Sequence, residues 1–344
     1  MSDVVEVSYT GDILAHRRCP RAWAYHRHVG LHPYEQVQAM EGLLAHHAME
    51  WLTIFYRENG RHANAEELAE QLLNRYSVLR SRGVRSEFVK KIVIVTRVVS
   101  ILFPLAAPAS IPAGTFDKNA PLDDVVRACV EGAVHTEYEI KSVQGLTGGG
   151  YPGKSKYLLR GVLDLVRQES GTFEYQRVFE ITDAADCSGV LKAGHIKTRT
   201  DDVEIWDYKA SKPTTPYIGD YVRQLLTYAA IYHQHTGSFP KRCVLAFLRQ
   251  PKKGTLADHL VAIPIDQSLV DAALNWTTSQ VGAMGASVTT FRANPLTIPG
   301  GDEGSGTISK ELRNQCTACG QRFDCSSYSS VAPSDCDPSR IDKN

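Results

Sequence analysis

The sequence predicts an α/β fold with a helical N-terminal region, an α/β core and a loop-rich C-terminal segment that carries cysteines. Three observations predict it. Apolar residues recur at helical spacing through 36–57. From about residue 131 the pattern changes to short alternating runs of the kind that form strands. Cys316, Cys319 and Cys325 then fall close together near the end of the chain. The expected divisions are 1–122, 123–290 and 291–344.

Taken in order, 13–30 reads as a helix broken by Pro20 near its start. Met40, Leu43, Leu44, Ala48, Trp51, Leu52 and Phe55 form the apolar stripe of a long helix over 36–57. Segments 64–82 and 86–104 are helical, and 105–122, rich in Ala and Pro, is a linker or loop. Strands are expected over 131–142, 156–167, 173–182 and 202–209, with a turn at Gly148, Gly149 and Gly150. Helical periodicity returns over 217–236. A strand pair over 241–249 and 257–265 is joined by a turn at Pro251–Gly254, and a helix follows over 266–285. The stretch 183–201, with Cys187, Lys192, Lys197 and Arg199, reads as an inserted loop that makes the gap between Asp164 and Asp207 long.

Composition excludes some classes. Lys plus Arg number 38 and Asp plus Glu 38, so the formal net charge is zero. A protein that coats nucleic acid through bulk charge would be basic, so any phosphate-binding surface here is local. Candidate runs are Arg17, Arg18, Arg21 and Arg27; Arg80, Arg82, Arg85, Lys90, Lys91 and Arg97; and Lys241, Arg242, Arg249, Lys252 and Lys253. Any one of them alone is more often a solvated face. No apolar run reaches membrane-spanning length, and Met1 to Thr10 lacks the pattern of a secretory signal, so a cytoplasmic protein is expected. No Gly-x4-Gly-Lys-Ser/Thr loop is present, so ATP hydrolysis is not expected and any helicase would be a separate partner.

Chemistry concentrates at Asp164, in Arg160-Gly-Val-Leu-Asp-Leu-Val, and at Asp207-Tyr-Lys209. Strand side chains alternate, so Asp207 and Lys209 share a face with Tyr208 opposite. Two carboxylates offer the hard oxygen donors that Mg²⁺ or Mn²⁺ prefers. Lys209 beside them can orient an attacking water and offset charge on a phosphate. Gln224 and Tyr228, one turn apart on a helix, share a face. His46 offers an imidazole suited to Mn²⁺, with Glu50 one turn on to orient it; His47 is its adjacent competitor. Singly these signals are weak, since a lone helix histidine is more often structural.

Together and in this order, Gly42-x3-His46, Gly161-x2-Asp164, Asp207-x-Lys209 and Gln224-x3-Tyr228 resemble the RecB-like branch of the PD-(D/E)XK nucleases, which have a restriction-endonuclease-like core. That branch includes the nuclease parts of helicase–nucleases and CRISPR-associated exonucleases. The resemblance implies His46, Asp164, Asp207 and the Tyr208 carbonyl as metal ligands and Lys209 as the catalytic lysine. It also implies that Gln224 and Tyr228 act beside the DNA strand.

Cys316-x2-Cys319-x5-Cys325 supplies three thiolates, and a closed site needs a fourth ligand. Cys19 is the best candidate. The resemblance implies that these four hold a [4Fe-4S] cluster; thiolates also suit zinc. Cys336 is a poor alternative ligand. The scattered cysteines, Cys129, Cys187 and Cys243, read as small buried apolar groups. The function expected is a Mg²⁺- or Mn²⁺-dependent deoxyribonuclease acting on single strands or ends, in repair or antiviral defence. The alternative is a DNA-binding or assembly subunit of a repair or defence complex with an idle site, against which the intact Asp164, Asp207 and Lys209 argue.

Overall fold

A computed structural model describes residues 3–30, 37–81, 91–106, 115–146, 150–168, 173–211, 213, 217–248 and 256–293. Cys316, Cys319, Cys325 and Cys336 lie outside the described residues. So do Arg82, Arg85, Lys90, Arg249, Lys252 and Lys253, the turn at Pro251–Gly254, and Gly148 and Gly149. The chain divides into two compact units. One comprises Met1–Tyr34, Val143–Arg160 and Thr277–Asn344; the other comprises Glu35–Ser142 and Gly161–Trp276.

In the first unit, β1 (Val4–Ser8) runs parallel to the opening of β3 (Lys156–Gln168), from Val4 opposite Lys156 to Ser8 opposite Arg160. A π-helical turn, Tyr9–Leu14, leads into α1 (Ala15–Arg18) and α2 (Pro20–Ala24). The break falls at extended Cys19, which caps α2; Pro20 follows at its first position, where the missing N–H costs nothing. Asp12 is buried and organises this segment. It accepts from the Ser8 N–H at 2.8 Å, the Ser8 hydroxyl at 2.9 Å and Trp23 Nε1 at 3.2 Å. Arg21 is also buried, so it does not belong to a phosphate-facing run.

In the second unit, α3 (Val37–Asn59), α4 (Ala65–Ser81), α5 (Lys91–Leu102) and α6 (Asp124–Glu131) cover one face of a mixed sheet. Met40, Leu44, Leu72, Ile94, Val98 and Val126 meet Leu165, Trp206, Tyr208 and Val244 in one apolar core. The sequence reading lacks α6. Its signal is Asp123, whose carboxylate accepts from the Val125 N–H at 2.9 Å and caps a helix of only eight residues.

β3 continues into this unit antiparallel to β6 (Val203–Lys209), which runs parallel to β7 (Arg242–Phe247). β7 is antiparallel to β8 (Leu260–Pro264), and β8 is parallel to β4 (Glu174–Asp183). β2 (Ala133–Gly145) also pairs with β3. β7 is buried at every residue, as a strand covered on both faces should be. α7 (Ile218–Thr236) lies against the face opposite the helical core, with the Cys243 thiol 3.6 Å from the Leu225 carbonyl, and stops at left-handed Gly237. α8 (Gln267–Ala293) completes the described residues.

The expectation for the segment before β6 is overturned. Residues 188–197 are not loop but strand β5 (Ser188–Lys197), antiparallel to β4 with shifted register at two points. Its glycines and lysines hid it. A Cβ at Gly189 would sit 2.1 Å from the Glu180 carbonyl oxygen, so close strand approach requires glycine there. Lys192 pairs with Glu180 across the hairpin.

Candidate active site

The centre forms in the second unit, where two strands part. The ladder between β3 and β6 runs from Gln168 opposite Val203 to Leu165 opposite Trp206. One step further, Asp164 and Asp207 come opposite each other. There the Tyr208 N–H donates to Asp164 Oδ2 at 2.6 Å, which sets the Tyr208 backbone beside that carboxylate. Opposed residues share a sheet face, as do residues two apart on one strand. Asp164, Asp207 and Lys209 therefore converge, while the Tyr208 ring joins the helical core. Lys209 Nζ stands 2.6 Å from Asp207 Oδ2.

α3 brings His46 to the same place, with Nδ1 3.3 Å from Asp164 Oδ1. His47 turns instead towards Glu50, 3.3 Å away, and Gln71 of α4, 3.4 Å away. Glu50 thus orients His47, not His46 as the helical spacing suggested. On α7, Gln224 Oε1 accepts from Lys209 Nζ at 3.4 Å, and Gln224 Nε2 donates to the Tyr228 hydroxyl at 3.3 Å. Both side chains are buried. The Lys209 ammonium also lies 4.5 Å from the centroid of the Tyr221 ring. Gly161 acquires a reason here: a Cβ there would fall 2.6 Å from the Tyr228 ring, which needs that space. Gly42 is less constrained, since its Cβ would make an ordinary 3.6 Å contact with Ala210.

Glu137 of β2 is the residue that sequence reasoning missed. One donor atom each from His46, Glu137 and Asp164 all lie within 4.8 Å of one another. β2 is held beside Asp164 by the Thr136 hydroxyl, which donates to the Asp164 carbonyl at 3.2 Å. Glu137 has φ of 47°, the left-handed region that non-glycine residues rarely enter. Strand alternation gives no hint of such a residue.

The charges are under strain of their own. Burial, with the charge of Asp164, pushes the Asp207 carboxyl up to about 6 against the opposing pull of Lys209. Burial and Asp164 push Glu137 up to about 7. Burial alone would lower His46, but the Asp164 charge and hydrogen bond carry it up to about 9. Burial would raise Asp164, yet His46 and Lys209 hold it below the usual carboxylate range. Carboxyls raised by burial and by a neighbouring carboxylate gain from added positive charge. A divalent cation would supply it, displacing the His46 proton as it binds. Two carboxylates and an imidazole fit Mn²⁺ chemistry, and their oxygens fit Mg²⁺. Among the described residues no helix is long and apolar enough to cross a membrane.

Residues 13–178 match the family profile of the PD-(D/E)XK nuclease superfamily. The match takes in His46, Glu137 and Asp164 and ends before Asp207, Lys209, Gln224 and Tyr228. No curated protein matches the chain. With the mixed sheet and its flanking helices consistent with that fold, residues 13–178 carry a PD-(D/E)XK nuclease superfamily domain.

Proposed function

We propose that the chain is a Mg²⁺- or Mn²⁺-dependent deoxyribonuclease of the RecB-like branch, hydrolysing phosphodiester bonds of single strands or ends. The observation that carries this is the convergence of His46, Glu137 and Asp164 donors within 4.8 Å, beside a lysine bonded to Asp207. His46, Asp164, Asp207 and the Tyr208 carbonyl would hold the ion, with Glu137 added to that set. When bound, the ion supplies Lewis acidity towards the phosphoryl oxygen and the attacking water. Lys209 orients that water and offsets charge gathering on the phosphate. Gln224 fixes the Lys209 ammonium through its carbonyl oxygen and, with Tyr228, holds the strand.

Cleavage of labelled single- and double-stranded DNA and RNA, with Mn²⁺ or Mg²⁺ and with free or blocked ends, tests the reading. His46→Ala should weaken Mn²⁺-supported cleavage by at least about ten-fold, the low end for disturbing a metal site's surroundings. His47→Ala should do much less, because His47 faces α4. Equal loss in both variants overturns the assignment of His46.

We also propose that Cys19, Cys316, Cys319 and Cys325 hold a [4Fe-4S] cluster. The spacing of the last three supports it, and so does the contrast among the other thiols. Cys129, Cys187 and Cys243 are buried, whereas Cys19 is half-buried, its sulfur accepting a long 3.5 Å contact from the Ala22 N–H. Anaerobically purified protein should be brown, and Cys19→Ala should bleach it as fully as Cys319→Ala, while Cys336→Ala should not. Stoichiometric zinc without sulfide would remove the cluster from the proposal.

A further inference from the structure

In a regular strand, residues three apart point to opposite faces. His135 and Tyr138 of β2 do not. Their rings stack, with centroids 4.3 Å apart and planes 15° from parallel. Between them sits left-handed Glu137, which breaks the alternation. One irregular residue thus brings its own carboxylate to His46 and Asp164 and puts two neighbouring rings together.

The stacked pair meets a third ring. His235 of α7 lies edge-on to Tyr138, with centroids 6.1 Å apart. On a helix, residues seven and eleven apart return to nearly the same side, so Gln224, Tyr228 and His235 line one face over roughly three turns, about 16 Å. β2 therefore carries two rings of this cluster on either side of its site residue, and α7 carries the third about two turns beyond Tyr228. The Ser142 hydroxyl bonds Gln234 and ties the two elements together beside the rings. His135 and His235 are exposed.

We propose that His135, Tyr138 and His235 form a stacking platform for the unpaired bases of a DNA strand whose backbone runs into the carboxylate–lysine centre. The proposal rests on the nuclease reading. Unpaired bases offer ring faces that a duplex keeps covered, and aromatic side chains take them without regard to sequence. Tyr138 directly follows Glu137 on β2, so a strand held on these rings would lie beside the carboxylate centre, and the platform would select single-stranded substrate before the phosphate reaches Lys209.

Abasic oligonucleotides separate bases from phosphates. Full-length protein, with no divalent ion added, is titrated with labelled strands of one length: base-bearing DNA, abasic DNA, RNA and duplex. Base-bearing single strands should bind about ten-fold or more tighter than abasic ones, as the loss of one or two stacked bases implies. The double variant Tyr138→Leu/His235→Ala keeps apolar bulk at 138 and should erase that preference. It should leave abasic binding unchanged, and added Mn²⁺, which by binding the folded state should raise the Tm, should raise it equally in this variant and in the wild-type protein. A preference that survives in the double variant, or no preference in the wild-type protein, overturns the platform. RNA bound more tightly than DNA overturns the assignment to DNA. If cleavage occurs without base preference, the nuclease reading stands and the platform falls. If base preference appears without cleavage under any metal, the nuclease reading falls alone.

Discussion

Replacing Lys209 with alanine or methionine should lower metal-dependent cleavage by about 10²–10³-fold, the usual cost of removing one preorganised charge-stabilising group. Three contacts fix the ammonium before any substrate arrives: Asp207 at 2.6 Å, Gln224 at 3.4 Å and the face of Tyr221 at 4.5 Å. Burial would depress its pKa, but the charges of Asp207 and Asp164 hold it above the usual lysine value, so it stays cationic through neutral pH. Methionine keeps the length of the side chain and loses the charge. If the charge does the chemistry, both variants fail equally. Metal binding should survive, because the donors on His46, Glu137 and Asp164 are untouched. The Mn²⁺-induced rise in Tm should therefore persist in both. Wild-type cleavage by Lys209→Met would sink the assignment.

Much of this centre can be read in the sequence because its parts obey simple periods. Asp207 and Lys209 are two apart on a strand; Gln224 and Tyr228 are four apart on a helix. Both spacings put the pair on one face, and the structure brings each pair within reach of the other. His46 is set before His47 by the Gly42-x3-His46 spacing of the resemblance, whereas its expected partner is misassigned: Glu50 turns to the other histidine. Glu137 was invisible for a definite reason. Its position depends on a left-handed backbone that a two-residue period cannot encode. β5 was invisible because glycine and lysine, poor strand formers in isolation, are placed there by close approach to β4 and by cross-strand pairing. Arg242 was misplaced in a surface run because sequence shows its charge and not its burial.

That buried arginine leads to the largest stability effect expected. Glu204 is 0% exposed and sits at the base of β6, three residues before Asp207. Its carboxylate accepts from the Tyr175 hydroxyl at 2.6 Å, Trp206 Nε1 at 2.8 Å and the Arg242 guanidinium at 2.5 Å. A second guanidinium, that of Arg167, stands 3.6 Å away, and Asp202 takes the other arm of Arg242 at 2.8 Å. Two buried cations thus share this buried anion, with Asp202 a second partner of Arg242. Breaking a buried ion pair from one side leaves an uncompensated charge in a medium that solvates it poorly, at about 3–5 kcal/mol. Glu204→Ala should lower the unfolding free energy by that amount and also free the Tyr175 and Trp206 donors. Glu204→Gln separates charge from volume. It fills the same space but offers neutral oxygen to Arg242 and an amide N–H that competes with Trp206 and Tyr175 as a donor, so most of the loss should remain. Guanidinium unfolding of the two variants checks this. A loss below about 1 kcal/mol in Glu204→Gln, with a large one in Glu204→Ala, would show that cavity formation and not charge accounts for the effect.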